Sequence, residues 1–339
     1  MNKSCLTLLT LLVPATGLFA QDLTRIFEIS PATAKVPHSL YQTIGFVDSR
    51  EDTSMIGLVQ VGVLKNRDAT LRLKSPVLPQ LVKLVGSLTD TTAANGELLF
   101  QLRDFGFVQT YGTRYCRLAA DMYAKNGGRY NRISSLDTII ITTGGDVSKI
   151  IQKEENKIIA DFLAKGLLQQ PTDSMSYDLA GIANIDSIEQ RRIPVYNTTN
   201  YVDGIYMTYA SFANQLPDRQ GMIDARKDGS ISSVKMLDPN GNKVKLKSKN
   251  VYAIVNKGQI FIATEYGYYP MQKYNDRLIF TGDIRDAASN GDVAGGQFAL
   301  GLIGAAIARS GNQTTYDMRI DHRTGQFIRL RLIPKPPTP

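Results

Sequence analysis

The residues that could do chemistry are few and scattered. Asp48, Glu51 and Asp52 fall within five positions, a spacing that could pair carboxylates for acid–base work or gather oxygens around calcium. The EF-hand spacing is missing, and acidic residues after a strand commonly form turns. The two histidines, His38 and His322, are too few for a histidine-based zinc centre. His322 follows Asp321 in a hairpin, and a serine triad using it is possible on paper, but no Gly-x-Ser-x-Gly elbow is present. Thr142-Thr143-Gly144-Gly145-Asp146 precedes a helix and could offer amides to an anion. The Walker ending is absent and Asp146 would compete for those amides, so strand, turn and cap is the better reading. Cys116 lies between Arg114-Tyr115 and Arg117, and flanking arginines could lower a thiol pKa. The plainer reading is a small buried residue on a strand's inner face. No catalytic, cofactor or metal residue is assigned.

Three stretches suit binding better than catalysis. Tyr266, Tyr268, Tyr269 and Tyr274 cluster around Gly267 and Pro270; tyrosines can stack on sugars or anchor a partner, or simply form a sheet face. The chain has no tryptophan, which weakens a glycan-binding reading. Ala294–Ala308 is apolar with small residues at four-residue spacing, Gly301 with Ala305 and Gly304 with Ala308. It suits a short core helix packed on a β-domain, or an exposed patch using Phe298 and Leu302. Arg319, Arg323, Arg329, Arg331 and Lys335 form the densest basic group, either a solvated strand face or a contact for acidic glycan or lipid headgroups. The interaction candidates are therefore Tyr266, Tyr268, Tyr269, Phe298, Leu302, Arg329 and Arg331.

The elements that must position these residues divide the chain. Residues 21–40 form a leader of weak periodicity. Strands are expected at Thr43–Val47, Ile56–Leu64, Ala69–Leu73, Leu98–Leu102 with Phe105–Thr110, Tyr115–Ala124 and Arg129–Thr142. Asn126-Gly127-Gly128 marks a hairpin. One helix should open with Ser75 as N-cap and Pro76 as first residue, with Val77, Leu78, Leu81, Val82, Val85 and Leu88 on one face. A second should run from an N-cap at Asp146 to Gly166, with Val147, Ile150, Ile151, Ile158, Phe162 and Leu163 on one face. Residues 41–166 then make a small α/β sheet domain with helices on one side. Residues 167–193 read as a linker holding a short helix near Ile182–Ile188. Residues 194–333 read as a mainly antiparallel β domain, with hairpin turns at Asp238–Gly241, Asn256–Gly258 and Arg323–Gly325. Residues 334–339 are a loose proline-rich tail. The expected class is α+β.

The opening residues give an address. Lys3, the apolar run Leu6–Phe19 and the exit Leu18-Phe19-Ala20 have the layout of a signal peptide over residues 1–20. The run is 14 residues and is broken by Pro14 and Gly17, short of the ~20 a spanning helix needs. No later apolar run is long enough to span. Cleavage leaves Cys116 as the one cysteine, so no intrachain disulfide forms. Export argues against nucleic acid despite the net charge of +8.

Residues 41–166, through the strand into Val47-Asp48-Ser49-Arg50 and the hairpin Ala119–Ile141 feeding a helix to Gly166, resemble the YajG-like periplasmic lipoproteins and transporter-auxiliary components. This chain lacks their lipidated cysteine at the cleavage site. Residues 200–332 are similar to a β-rich module of uncharacterised exported proteins of the Bacteroides–Cytophaga group. The similarity rests on Asp203-Gly204-Ile205-Tyr206 with Phe212, the Asp238–Lys243 hairpin, Val251–Ile262 and Asp321-His322-Arg323-Thr324-Gly325. Neither resemblance implies catalytic residues or a cofactor. The sequence therefore points to an exported envelope protein, periplasmic, outer-membrane-associated or extracellular. It would bind a protein or membrane-surface partner, without enzymatic activity. The alternatives are a secreted hydrolase using Asp48, Asp52 or His322, and a peripheral membrane protein.

Overall fold

The computed structural model describes residues 23–50, 53–61, 67–110, 113–143, 147–171, 175–238, 240–264, 267–283 and 315–332. Residues 1–20, Asp52, Asp146, Tyr266, Phe298, Leu302 and the tail 334–339 lie outside them.

The first sheet comprises β1 (Leu23–Phe27), β2 (Tyr41–Asp48), β3 (Gly57–Val61), β4 (Arg67–Leu73), β5 (Gly96–Thr110), β6 (Thr113–Asn126), β7 (Arg129–Thr143) and β8 (Ser176–Tyr177). Helix α1 (Leu78–Leu88) follows β4, and α2 (Val147–Gly166) follows β7. The strand order is β1-β4-β3-β5-β6-β7-β8; β2 runs parallel to the first half of β5 and β3 to its far end. The β6–β7 turn uses Gly127 at φ +61°, where a side chain would be strained. On β6 the even residues Cys116, Leu118, Ala120 and Met122 enter a core with Leu81, Leu84 and Leu88 of α1 and Ile159, Phe162 and Leu163 of α2. Period-two alternation therefore puts both long helices on one side, as the pattern implied.

Two local readings change. The leader supplies β1, which pairs in parallel with β4, and Phe27, Ile29 and Val36 enter the same core. Its five residues alternate too briefly to stand out in sequence. Helix α1 starts at Leu78, with Val77 at the cap and a proline in its first turn, Pro79. Ser75 does not cap it. Instead the buried Gln80 ties the entry together, accepting from Ile29 N (2.9 Å) and donating to Lys74 O (2.6 Å) and Pro76 O (2.9 Å).

Chain 175–190 stays with the first sheet. After β8 come α3 (Leu179–Ala183) and α4 (Ile185–Gln190). Ile182 and Ile185 pack on Leu99, Tyr123 and Tyr130, the sheet face opposite α1 and α2.

Helix α5 (Pro194–Asn197) leads into β9 (Gly204–Tyr206), α6 (Tyr209–Ala213), β10 (Met222–Ala225), β11 (Ile231–Leu237) and β12 (Lys243–Lys245). Then follow β13 (Ala253–Asn256), β14 (Gln259–Thr264), β15 (Gly267–Tyr274), β16 (Arg277–Asp283), β17 (Thr315–Ile320) and β18 (Phe327–Leu332). These make an antiparallel seven-stranded sheet, β18-β17-β16-β15-β14-β13-β9, and a three-stranded one, β10-β11-β12. One face of the large sheet buries Tyr206, Ile262, Phe280 and Phe327; the other packs Ile254 and Phe261 on Ile231 and Val234 of the small sheet. Among the described residues, no apolar cluster joins the eight-stranded sheet to the seven-stranded one. What joins them is charge.

Candidate functional site

The odd residues of β6 face away from the apolar core. They are Arg117, Ala119, Asp121 and Tyr123, all 2% exposed or less. In β5 the apolar parity slips: Leu98, Phe100 and Leu102 are inward, then Phe105 and Phe107. The cause is a β-bulge, since Leu102 pairs with Ala120 and Asp104 with Ala119, leaving Arg103 unopposed. Bulges re-aim side chains, and this one sends Arg103 to the polar face. A matching shift in β7 leaves Ile133 unopposed and sets Arg132 across from Tyr123.

Two linked ion clusters fill that face. Arg103 donates to Asp121 Oδ2 (2.8 Å), Glu189 Oε2 (2.7 Å) and Asp186. Arg132 donates to Glu189 Oε1 (2.6 Å), with its guanidinium 5.7 Å from the Tyr123 ring centre. The second cluster centres on Arg117, which donates from Nη2 to Asp321 Oδ2 (2.6 Å) and Asp137 Oδ2 (3.3 Å) and from Nη1 to Gln326 Oε1 (2.9 Å). Asp104 Oδ2 lies 3.3 Å from Arg117 Nε. Asp321, His322 and Gln326 come from the β17–β18 turn, more than 200 positions from Arg117. His322 Nε2 meets Glu189 Oε2 at 2.9 Å and joins the clusters.

The turn is held from behind. Tyr209 donates to His322 O (2.5 Å) and Tyr252 to Gly325 O (2.8 Å). Gly325 has φ +75°, and a Cβ there would lie 2.3 Å from the Tyr209 ring. Only glycine satisfies both demands.

Electrostatics follow the geometry. Burial alone would raise the Glu189 carboxyl; hydrogen bonds from His322 and Arg103 and the charges of Arg103 and Arg132 hold it well below the usual range. Asp321 likewise overcomes burial through Arg117 and the Arg323 amide and sits well below. For Asp104 and Asp137 burial outweighs Arg117, and both are raised.

A metal reading is available on distance alone. Asp186, Glu189 and His322 each offer a ligand atom within 4.8 Å of the others. Yet Arg103 donates to both carboxylates and Arg132 to Glu189. A cation placed there would meet two guanidiniums, so the donor set fits ion pairing better than metal binding.

The residues singled out in sequence are dispersed. Asp48 is held bidentately by Arg50 (2.9 and 2.7 Å), while His322 engages Glu189. Cys116 is buried in the core, and burial raises its thiol pKa, with Glu155 and Asp104 adding to the effect. Arg117 does not activate it, because it points to the opposite face of β6. Tyr268 and Tyr269 lie on opposite faces of β15, Tyr268 against Ile231 and Val234 and Tyr269 6.2 Å from Phe280. Arg329 pairs across from Met318 and Arg331 from Asp317. Arg103, Arg117, Asp121, Arg132 and Glu189 were not singled out. Their signal was a strand with apolar residues on one parity and Arg-x-x-x-Asp on the other.

Open space lies elsewhere. A cleft of about 870 Å3 opens over Phe27, Val59, Leu71 and Leu88 beside α2. Another of about 940 Å3 runs from Asp186 and Gln190 to Arg277 and Arg319.

No family model matches the chain, and no curated protein matches it. Two solved structures are similar to part of it. One is a Xanthomonas campestris protein of family DUF330, at 10% identity and a TM-score of 0.25, covering 42% of this chain and 88% of that one. The other is an uncharacterised protein, at 14% identity and a TM-score of 0.20, covering 45% of this chain and 98% of that one. Among the described residues no helix is long and apolar enough to cross a membrane.

Proposed function

We propose that this is an exported cell-envelope protein that works by binding a partner, in an accessory or assembly role. The observation that carries the reading is the state of its acid–base groups. Glu189, Asp121, Asp321 and His322 are engaged with arginines or with one another at the junction of two sheets, and Asp48 is engaged by Arg50. A general acid or base needs a free proton position facing a substrate, and these groups face each other. The opening segment supplies the address. In this reading residues 41–166 are a unit of the YajG-like, transporter-auxiliary kind, and residues 200–332 the β-rich module of Bacteroides–Cytophaga exported proteins.

The test is recovery of the native protein from fractionated cells, with mass spectrometry of its N-terminus and pull-down from envelope extracts. A chain beginning at Gln21, found outside the cytosol and retaining an envelope component, is the expected result. An intact Met1 on cytosolic protein overturns the address. An envelope extract that yields no retained component overturns the binding role.

A further inference from the structure

We infer that the groove between the β10–β12 sheet and the start of β15 binds an acidic polysaccharide chain. The inference rests on the binding role proposed above and names its ligand.

The groove encloses about 630 Å3 and is lined by Arg226, Ser233, Lys245, Lys247, Lys249 and Tyr268, among others. Residues 222–249 hold seven lysines and arginines against three aspartates. Those aspartates are already engaged. Asp224 pairs with Lys235 at 2.7 Å. Asp228 accepts from Ser230 N (3.0 Å) and Oγ (2.7 Å), and Asp238 from Asn240 N (2.9 Å) and Asn242 N (2.8 Å). Among the described residues no carboxylate pairs with Arg226, Lys245, Lys247 or Lys249. Lys245 stands directly across from Lys235 in the β11–β12 ladder; Asp224 neutralises Lys235, which leaves Lys245 as the open charge of that pair.

Two further groups distinguish this groove from a merely basic surface. Ser233 Oγ and Tyr268 Oη are buried and have no hydrogen-bond partner. Buried hydroxyls are ordinarily satisfied; both are closed off from solvent in the free chain, and a side-chain rotation toward the groove presents each to a ligand that brings its own donors and acceptors. Sugar hydroxyls do. Lys245 and Lys247 lie two residues apart, about 7 Å in extended chain, a spacing that suits charges repeated along a polymer better than one point anion. The Tyr268 ring adds an amphipathic edge.

The probe is a fluorescently labelled oligogalacturonate, a run of carboxylate-bearing sugars, read by anisotropy against the purified chain. Binding should weaken as salt rises. The double variant K245E/K247E should weaken it at least ten-fold, and Tyr268→Phe and Ser233→Ala each about three-fold with an unchanged melting temperature. Lys83→Glu, on the exposed side of α1, should leave binding unchanged. Neutral dextran should not bind, and millimolar inorganic phosphate should not compete. Native-like binding by K245E/K247E overturns the site. Equal binding of dextran, displacement by phosphate, or tighter binding of a single-stranded oligonucleotide overturns the ligand class. Loss of oligogalacturonate binding while an envelope component is still retained removes this ligand alone and leaves the binding role intact.

Discussion

Arg117 shows how much one side chain can be asked to neutralise. It is 2% exposed and faces Asp104, Asp137 and Asp321 together. A buried pair gives little net stability compared with an apolar replacement of both partners, but removing one partner strands the other. Arg117→Met should therefore destabilise by about 3–5 kcal/mol, chiefly the cost of leaving the buried Asp321 carboxylate unpaired. Urea denaturation at neutral pH measures it. Arg117→Lys should recover part of the loss, because an ammonium supplies charge without the fork that reaches Asp321 and Gln326 together. A loss below about 1 kcal/mol for the methionine variant would mean the carboxylates re-solvate freely, contrary to their burial. Cys116, one residue away, illustrates the sheet's insulation: adjacent positions on a strand occupy opposite environments, so sequence neighbours need not be electrostatic neighbours.

At the scale of elements, the β5 bulge sets the geometry. Arg103 is the extra residue, and leaving it unopposed lets Leu102 and Phe105 enter one core. Deleting it would remove the bulge and keep the pairing, with Leu102, Phe105 and Phe107 inward and Asp104 outward. Inserting an alanine between Asp104 and Phe105 would instead turn Phe105 and Phe107 outward, because a one-residue slip exchanges the faces of a strand. The insertion should abolish cooperative unfolding, whereas Arg103→Ala, which keeps the spacing, should leave a folded but weakened protein. Near-UV circular dichroism and urea titration separate the two; similar behaviour of both variants would show that charge, not register, is decisive. The same strand shows what sequence could and could not reveal. Leu98–Leu102 and Phe105–Thr110 are each legible as apolar alternation, and the break between them is visible, but it reads as two strands rather than one bent strand. Hairpins were legible at Gly127 and Gly258, both at positive φ, whereas the Asn275-Asp276 turn between β15 and β16, also at positive φ, was not singled out. The first helix was legible as a face at Leu81, Val85 and Leu88, while Leu78 and Val82 stay exposed. Its start was misplaced, because no side chain caps it and Gln80 ties down the entry from inside the helix. The ion clusters were not legible. The odd face of β6 reads as solvent-exposed until a turn some 200 residues later covers it, and no local pattern encodes that distance.

For the whole molecule, the junction makes stability depend on pH with a definite sign. Glu189 and Asp321 have folded pKa values held well below their ordinary 4.5 and 3.8. A carboxylate lowered in this way contributes stability that is present above its unfolded value and is lost as pH falls toward its folded value. Asp104 and Asp137 are shifted the other way, above their ordinary 3.8. They bind protons more readily in the folded chain, so they offset part of that loss just above 3.8 and not below. Stability should therefore change little from neutrality to about pH 5 and fall steeply below about 4.5. Because Glu189 bonds Arg103 of one sheet and His322 of the other, the steep limb should report separation of the two sheets before either loses its own apolar core. Urea midpoints measured across pH 3–7, beside small-angle scattering at the same points, test both parts. Glu189→Gln should lower stability at pH 7 and flatten the acid limb, since an amide has no proton to gain. An acid limb of unchanged slope in that variant would place the titration on a group other than Glu189.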